Sequence, residues 1–159
     1  MPKKVAWGYV TRDIGNGGEL LIATRCKEDD PKRAGELIIP GGGLKENENY
    51  LDAAIREVYE ETGIVAKVNN YQFPIEKHMK FDNEKIFAEV YGNKVYLKYK
   101  DSEKDYLGII FRLYPIDENQ NPSEQEDSDA KNPRYISFKS IEKEKFTPAC
   151  QVLLDISGF

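Results

Sequence analysis

Three glutamates, Glu57, Glu60 and Glu61, lie within five positions of one another in GGLKENENYLDAAIREVYEETGI, residues 42 to 64. Like charges three and four residues apart on a helix repel by roughly 0.2–0.5 kcal/mol per pair. The segment has helical period, with Leu51, Ala54, Ile55 and Val58 on one face. Counting about 100° per residue from Leu51, Glu60 lies at about 180°, Glu57 at about 240° and Glu61 at about 280°. The carboxylates share one flank, with Glu57 central and Glu61 nearest the apolar seam. Arg56, at about 140°, is placed beside Glu60 and away from the other two. Ala53 and Ala54 border the flank one turn earlier, where small side chains would let a ligand come close.

Two readings fit this helix. One is a solvated acidic face with an Arg56–Glu60 ion pair. The other is a metal site, in which a divalent cation turns the repulsion into attraction. Mg²⁺ favours one or two carboxylates with waters and phosphate oxygens over an all-protein cage. A carboxylate set therefore suits Mg²⁺ or Mn²⁺, and suits zinc poorly, since His78 is the only histidine. Just before the helix, PGGGL (40–44) reads as a glycine loop able to approach a ligand and offer backbone groups. No Ser–His or Cys–His arrangement points to a covalent nucleophile, and His78 reads as a surface or strand residue.

The elements that must hold these residues follow from pattern. VAWGYV (5–10) and ELLIA (19–23) are strand-like runs, with Asn16-Gly17-Gly18 marking the reversal between them. ELIIPGGGL (36–44) reads as a short strand stopped by Pro40. Asn47 or Asn49 is placed to cap the acidic helix and Gly63 to end it. IVAKV (64–68), KIFAEVYG (85–92), KVYLKYK (94–100), YLGIIFRLYPI (106–116) and RYISF (134–138) are further strands. The Gly92-Asn93 pair predicts a hairpin between two of them. Thr147 and Pro148 open a C-terminal helix whose buried face would be Ala149, Val152, Leu153 and Ile156. Strands and two helices in this order predict an α/β sheet covered on both sides, as one domain over residues 1–159.

Composition sets the class. The chain has 159 residues, of which 40% are hydrophobic, enough to fold without staples. A net charge of −5 gives no general attraction for nucleic acid or an anionic membrane, but allows a small anionic substrate in a cleft with its own field. Cys26 and Cys150 have no metal-type spacing, and their scarcity fits a reducing compartment. No signal-peptide pattern and no run of ~20 apolar residues is seen. The expectation is a soluble cytoplasmic protein.

Residues 42 to 64 resemble the Nudix box, G-x5-E-x7-R-E-U-x-E-E-x-G-U, where U is a bulky aliphatic. Gly42, Glu48, Arg56, Glu57, Val58, Glu60, Glu61, Gly63 and Ile64 fill every specified position. The box covers about a seventh of the chain. LLIATR before it resembles the family's strand ending in a basic residue, and RYISF the late strand. The aromatic residue often found before the Pro-Gly-Gly run is replaced by Glu36-Leu37.

The resemblance implies a Nudix fold of the α/β (α+β) class, a mixed sheet between helices. It implies hydrolysis of a nucleoside diphosphate linked to another moiety, using Mg²⁺ or Mn²⁺. By position, Glu57, Glu60 and Glu61 would hold metal, one of them serving as base, and the Gly42 carbonyl would join them. Glu48 would support the loop–helix corner and the metal network, and Arg56 would orient the carboxylates. The partner implied is a small-molecule nucleotide, with neither nucleic acid nor membrane, and a homodimer is compatible with it. A ligand-sensing or protein-binding module that lost the chemistry is the alternative, against which the intact box argues. Isomerase chemistry on an isoprenoid diphosphate would need a reactive cysteine, with Cys26 as its candidate.

Outside the box, Arg25 ends a strand just before the glycine run and, with Gly42 and Gly43, is a candidate to meet phosphate; otherwise it is a solvated strand end. The acidic stretch 117–129 reads as a solvated loop. Family members often take an extra carboxylate from a loop at this stage, which makes Glu124, Glu126 and Asp127 candidates. Trp7, Tyr9, Phe81, Phe87 and Tyr106 are candidates to recognise a base, or strand-core residues.

Overall fold

A computed structural model describes residues 1–13, 17–26, 34–68, 80–82, 85–101 and 103–156. His78 and Asn16 lie outside the described residues. The elements run β1 (Lys3–Arg12), β2 (Glu19–Arg25), β3 (Leu37–Ile38), β4 (Gly41–Gly43), α1 (Tyr50–Thr62), β5 (Ala66–Val68), β6 (Lys80–Asp82), β7 (Ile86–Tyr91), β8 (Lys94–Asp101), β9 (Lys104–Pro115), β10 (Ala130–Ser137) and α2 (Pro148–Ile156). Two short 3-10 turns, Phe138–Ser140 and Lys143–Lys145, precede α2. Sequence pattern anticipates neither these turns nor β6.

The strands form a mixed sheet in the order β10-β2-β1-β9-β8-β7-β6, with β3 on β2, β4 on β1 and β5 on β9. The central β1–β9 pair is parallel, with Ala6 opposite Ile109. The other strand pairs described are antiparallel. Side chains alternate along β1, so Ala6 and Val10 join α1 in one buried cluster while Tyr9, with Trp7 at its margin, joins α2 in the other. The sheet is thus covered on both faces, as its apolar pattern requires. Among the described residues no helix is long and apolar enough to cross a membrane.

One edge of β1 is shared by two partners. Thr11 and Arg12 pair with β2, whereas Val5, Ala6 and Trp7 pair with Gly43, Gly42 and Gly41 of β4. Between them the Gly8 N–H donates to the Pro40 carbonyl at 2.9 Å. The expected glycine loop is therefore a strand, held by β1.

Helix α1 starts at Asn49, whose side chain accepts from the Asp52 N–H at 2.8 Å, and ends at Gly63 with φ 76°. That left-handed conformation costs glycine little, and its N–H reaches the Tyr59 carbonyl. Ala53, Ala54, Val58 and Thr62 are fully buried. The alanines therefore seat α1 on the sheet, where the sequence reading had kept that space for a ligand. At Gly8 a Cβ would come within 2.5 Å of a Val58 methyl, so the bare backbone there lets the helix settle. The Thr62 hydroxyl, buried too, donates to the Val58 carbonyl at 2.6 Å and accepts from Ile64 N–H.

Candidate active site

The carboxylate flank of α1 lies over β4, and each glycine of that strand faces another side chain at close range. A Cβ on Gly41 would lie 2.0 Å from the Trp7 ring. One on Gly42 would lie 2.6 Å from the Glu57 carboxylate, and one on Gly43 3.1 Å from the Lys3 chain. Alternation along a strand explains why Trp7 and Glu57 lie on opposite sides of two consecutive residues.

Arg56 organises the acids. Its Nε and Nη2 donate to both oxygens of Glu48 at 2.8 and 2.9 Å, a bidentate pair. Its Nη1 donates to Glu57 and to Glu60, each at 2.9 Å, and Nη2 also reaches the Gly43 carbonyl at 3.0 Å. The helical-wheel placement of Arg56 beside Glu60 alone is corrected here. The long side chain sweeps back along the helix and ties Glu48, Glu57 and the end of β4 together. The guanidinium, first through hydrogen bonding, and the Lys45 N–H hold the Glu48 carboxyl at about 2, well below its ordinary value.

Glu61 takes the more enclosed position. Its carboxylate accepts a long hydrogen bond of 3.4 Å from the Gly41 N–H. Burial first, then the neighbouring Glu57, raises its carboxyl well above the ordinary range; Asp129 adds to this and the Gly41 N–H opposes it. Glu57 and Glu61, one turn apart on α1, face the same open cleft. Glu60 is the exposed member, paired with Arg56 and, at 3.8 Å, with Lys45.

The acidic loop reaches this flank. Gln120 donates to the Gly63 carbonyl at 3.0 Å, and the Ser123 N–H to the Thr62 carbonyl at 2.9 Å. The loop thereby satisfies carbonyls that the end of α1 leaves open. Glu57, Glu60, Glu61, Glu126, Asp127 and Asp129 line one open cleft of about 620 Å³. Glu124 is not among them. Its carboxylate accepts from the Asn132 N–H at 2.7 Å, at the bulge where β10 slips against β2, so it secures the strand. Asp129 escaped the sequence reading, which stopped at Asp127. Its position just before a strand, beside the other acids, was the available signal.

Gly43 turns its carbonyl to Arg56, and Arg25 lines a second cavity, bordered by Trp7 and Gly41, on the α2 side. Tyr9 is buried in the core and Tyr106 stacks on Tyr99. Phe81 and Phe87 belong to β6 and β7. Cys26 is exposed, one residue beyond β2, and Cys150 is buried on α2.

The donors fit a divalent ion of the Mg²⁺ type. Among the described residues no group of three or more His, Cys, Asp and Glu is arranged to hold an ion unaided. Yet Glu57, Glu60 and Glu61 line one open cleft, where a divalent cation would offset their mutual repulsion. Two carboxylates completed by water and phosphate oxygens is the Mg²⁺ pattern, and an all-protein cage is not needed.

Comparison with known proteins bears on this geometry. The family model for the NUDIX domain matches residues 2–153. An RNA pyrophosphohydrolase from Bartonella henselae is 42% identical over 82 residues, which are 49% of this chain and 43% of that protein. The chain thus spans less than half the length of that relative. The crystal structure of a C. elegans Ap4A hydrolase superposes with a TM-score of 0.63 at 16% identity, covering 99% of this chain and 97% of the other. A bifunctional NMN adenylyltransferase/ADP ribose pyrophosphatase from Francisella tularensis, complexed with AMP and a manganese ion, gives 0.58 at 21% identity, covering 98% and 41%. At these identities the structural likenesses establish the fold.

Proposed function

The chain belongs to the Nudix family, and from that membership we propose that it is a Mg²⁺-dependent pyrophosphohydrolase. Its substrate is a nucleoside diphosphate linked to another moiety: a nucleoside triphosphate, ADP-ribose, a nucleotide sugar or a dinucleoside polyphosphate. The observation that carries this reading is the placing of the Glu57 and Glu61 carboxylates against the backbone of Gly42 and Gly41, in one open cleft. Side by side in one cleft the two acids repel each other, and a cation there would offset that repulsion.

Glu57, Glu60 and Glu61 are the residues that would hold the ion, with the Gly42 carbonyl beside them. Glu48 holds Arg56, and Arg56 fixes the oxygens of Glu57 and Glu60. When bound, the ion supplies charge neutralisation at the phosphate oxygens and a more acidic water. The chain's own part is positioning and electrostatics, the main requirements of in-line attack on phosphorus. A base is available among Glu57, Glu61 and the loop acids Glu126, Asp127 and Asp129, which share the cleft. The presence of AMP and manganese in a protein of the same fold supports this assignment. The setting proposed is the cytoplasm.

A hydrolysis screen with product identification tests this reading. The panel holds the four substrate classes, plus an RNA 5′-triphosphate because of the Bartonella henselae relative. Hydrolysis of at least one member, abolished by chelation and restored by Mg²⁺, is expected. Full activity after exhaustive chelation, or none toward any member, overturns it.

A further inference from the structure

Helix α1 packs on β1, β4, β10, β5 and β9, and the same face of the sheet continues past it onto β8 and β7. Val95 and Leu97 of β8 and Ala88 and Val90 of β7 are buried in the α2 cluster, so the residues between them point to the other face. There Tyr96 is 39% and Tyr91 47% exposed, Lys98 is exposed, and Phe87 and Lys94 are half-buried. Strand pairing sets these side chains in rows: Tyr91 opposite Lys94, Glu89 opposite Tyr96, Phe87 opposite Lys98. Leu107 carries the last row on to the exposed Lys4 of β1. Lys4 also brings this surface to the end of β4, since its carbonyl accepts from the Leu44 N–H at 3.1 Å. Aromatic rings and ammonium groups thus alternate over one open surface. The acids on these strand faces are Glu89, which accepts from the Tyr91 hydroxyl, and Asp105, which stands opposite Lys100. The four lysines outnumber them, in a chain of net charge −5.

We propose that this open face of β7 and β8 binds single-stranded RNA, with bases stacked on Tyr96 and Phe87 and phosphates held by the lysines. Phe87 lies on the diagonal from Tyr96, and diagonal pairs stand about 7–8 Å apart, which lets the two rings take successive bases of an extended strand. Tyr91 and Tyr96 meet at 5.3 Å and 85°, an edge-to-face contact that braces the pair without stacking the rings on each other. Charge selects the occupant. A second copy of the chain on a two-fold axis would set lysine against lysine. An acidic peptide would match the lysines and leave the rings unused. A duplex keeps its base faces stacked inside, so the strand is a single one. It is RNA because a chain begun without a primer carries a 5′-triphosphate, the group the acidic cleft would cleave; that link rests on the hydrolase reading.

A fluorescein-labelled RNA of about ten nucleotides with a 5′-hydroxyl gives the acidic cleft nothing to hydrolyse, so its anisotropy reads this surface alone. Titrated with the protein in EDTA, it should show saturable binding that weakens as salt rises. The same sequence as a duplex should bind about tenfold more weakly. Tyr96→Ala should weaken binding of the single strand about tenfold, and Lys98→Gln should reduce the salt slope by about 0.7. Both side chains are exposed and outside the acidic cleft, so each variant should hydrolyse mononucleotide substrates at the wild-type rate. In turnover, the RNA with a 5′-triphosphate should show a KM about tenfold below that of a nucleoside triphosphate, an advantage that Tyr96→Ala removes with kcat kept. No binding of the single strand at ~50 mM salt, equal affinity for strand and duplex, or an unchanged affinity in Tyr96→Ala overturns the proposal. So does attachment to vesicles of phosphatidylglycerol and phosphatidylcholine that the RNA fails to displace, which would make the face a membrane surface. Hydrolysis of nucleotides without RNA binding removes this face and leaves the hydrolase; RNA binding without hydrolysis does the reverse.

Discussion

The Glu57 carboxylate occupies the space where a side chain on Gly42 would begin, 2.6 Å from the position of a Cβ there. A glycine of the strand and a glutamate of the helix are thus one steric unit. The adjacent Gly41 is bare for a different reason, the Trp7 ring on the other side. Two neighbouring glycines should therefore respond differently to the same substitution.

Gly42→Ala displaces the far end of a flexible side chain, so its melting temperature should stay close to wild type while kcat falls by about 10²-fold. In Gly41→Ala the new Cβ would meet both the Trp7 ring and, at 2.6 Å, the Ala6 carbonyl oxygen. Overpacking of this kind costs about 1–3 kcal/mol, and the loss should be visible in urea unfolding. A Gly42→Ala enzyme with normal kcat would show that the Glu57 position is not critical.

Glu61 provides a prediction with a pH sign. Its folded carboxyl is raised, so ionisation opposes folding. The penalty is absent at acid pH, where folded and unfolded forms are both protonated, and grows as pH rises toward the folded value. In EDTA, Glu61→Gln should therefore melt above wild type at neutral pH and equal it near ~pH 4. Glu57→Gln relieves the same contact and should also lose kcat by orders of magnitude. A Glu61→Gln variant that melts no higher in EDTA at neutral pH would mean that the carboxylates do not oppose each other in solution.

Arg56 and Glu48 show the opposite sign. The Glu48 carboxyl is lowered from 4.5 to about 2, so the stability it adds is present above the ordinary value and lost as pH falls between the two. Arg56→Lys cannot reproduce the bidentate pair. A titration of Glu48 by NMR should move up toward 4.5 in this variant, and the stability gap to wild type should close as pH falls through that window. An unchanged Glu48 titration would rule out Arg56 as its partner.

The loop separates into two parts. Glu126→Gln, Asp127→Asn and Asp129→Asn together should lower kcat, because all three residues face the cleft that holds Glu57 and Glu61. Glu124→Gln should leave kcat near wild type and instead speed amide exchange at Asn132, whose N–H it holds. Unchanged kinetics in the triple variant would remove the loop from the reaction.

The helix, its caps and its acidic flank were legible in the sequence because each rests on local rules. Period placed Val58 inward, with Leu51 and Ile55 half-buried against the same cluster; the Asn49 cap needs only Asp52, and the Gly63 stop needs only a left-handed residue. The Gly92-Asn93 hairpin was legible for the same reason, since Tyr91 and Lys94 pair directly across it. Strand alternation and two helices, each with an apolar face, likewise implied a sheet covered on both faces.

Tertiary structure decided what depends on residues distant in the chain. Gly41–Gly43 read as a loop because glycine has no strand signal, and only pairing with Val5–Trp7 makes them a strand. Ala53 and Ala54 looked like room for a ligand, and the sheet fills that room. Arg56 reaches Glu48 because the chain folds back between them, which a wheel of one helix does not represent. Glu124, Glu126 and Asp129 are indistinguishable as carboxylates in an acidic run. The β10 bulge and the docking of Gln120 and Ser123 on the end of α1 separate them, turning Glu124 toward Asn132 and the other two toward the cleft. Local chemistry is written in neighbouring residues; which groups finally meet is set by contacts that exist once the sheet has formed.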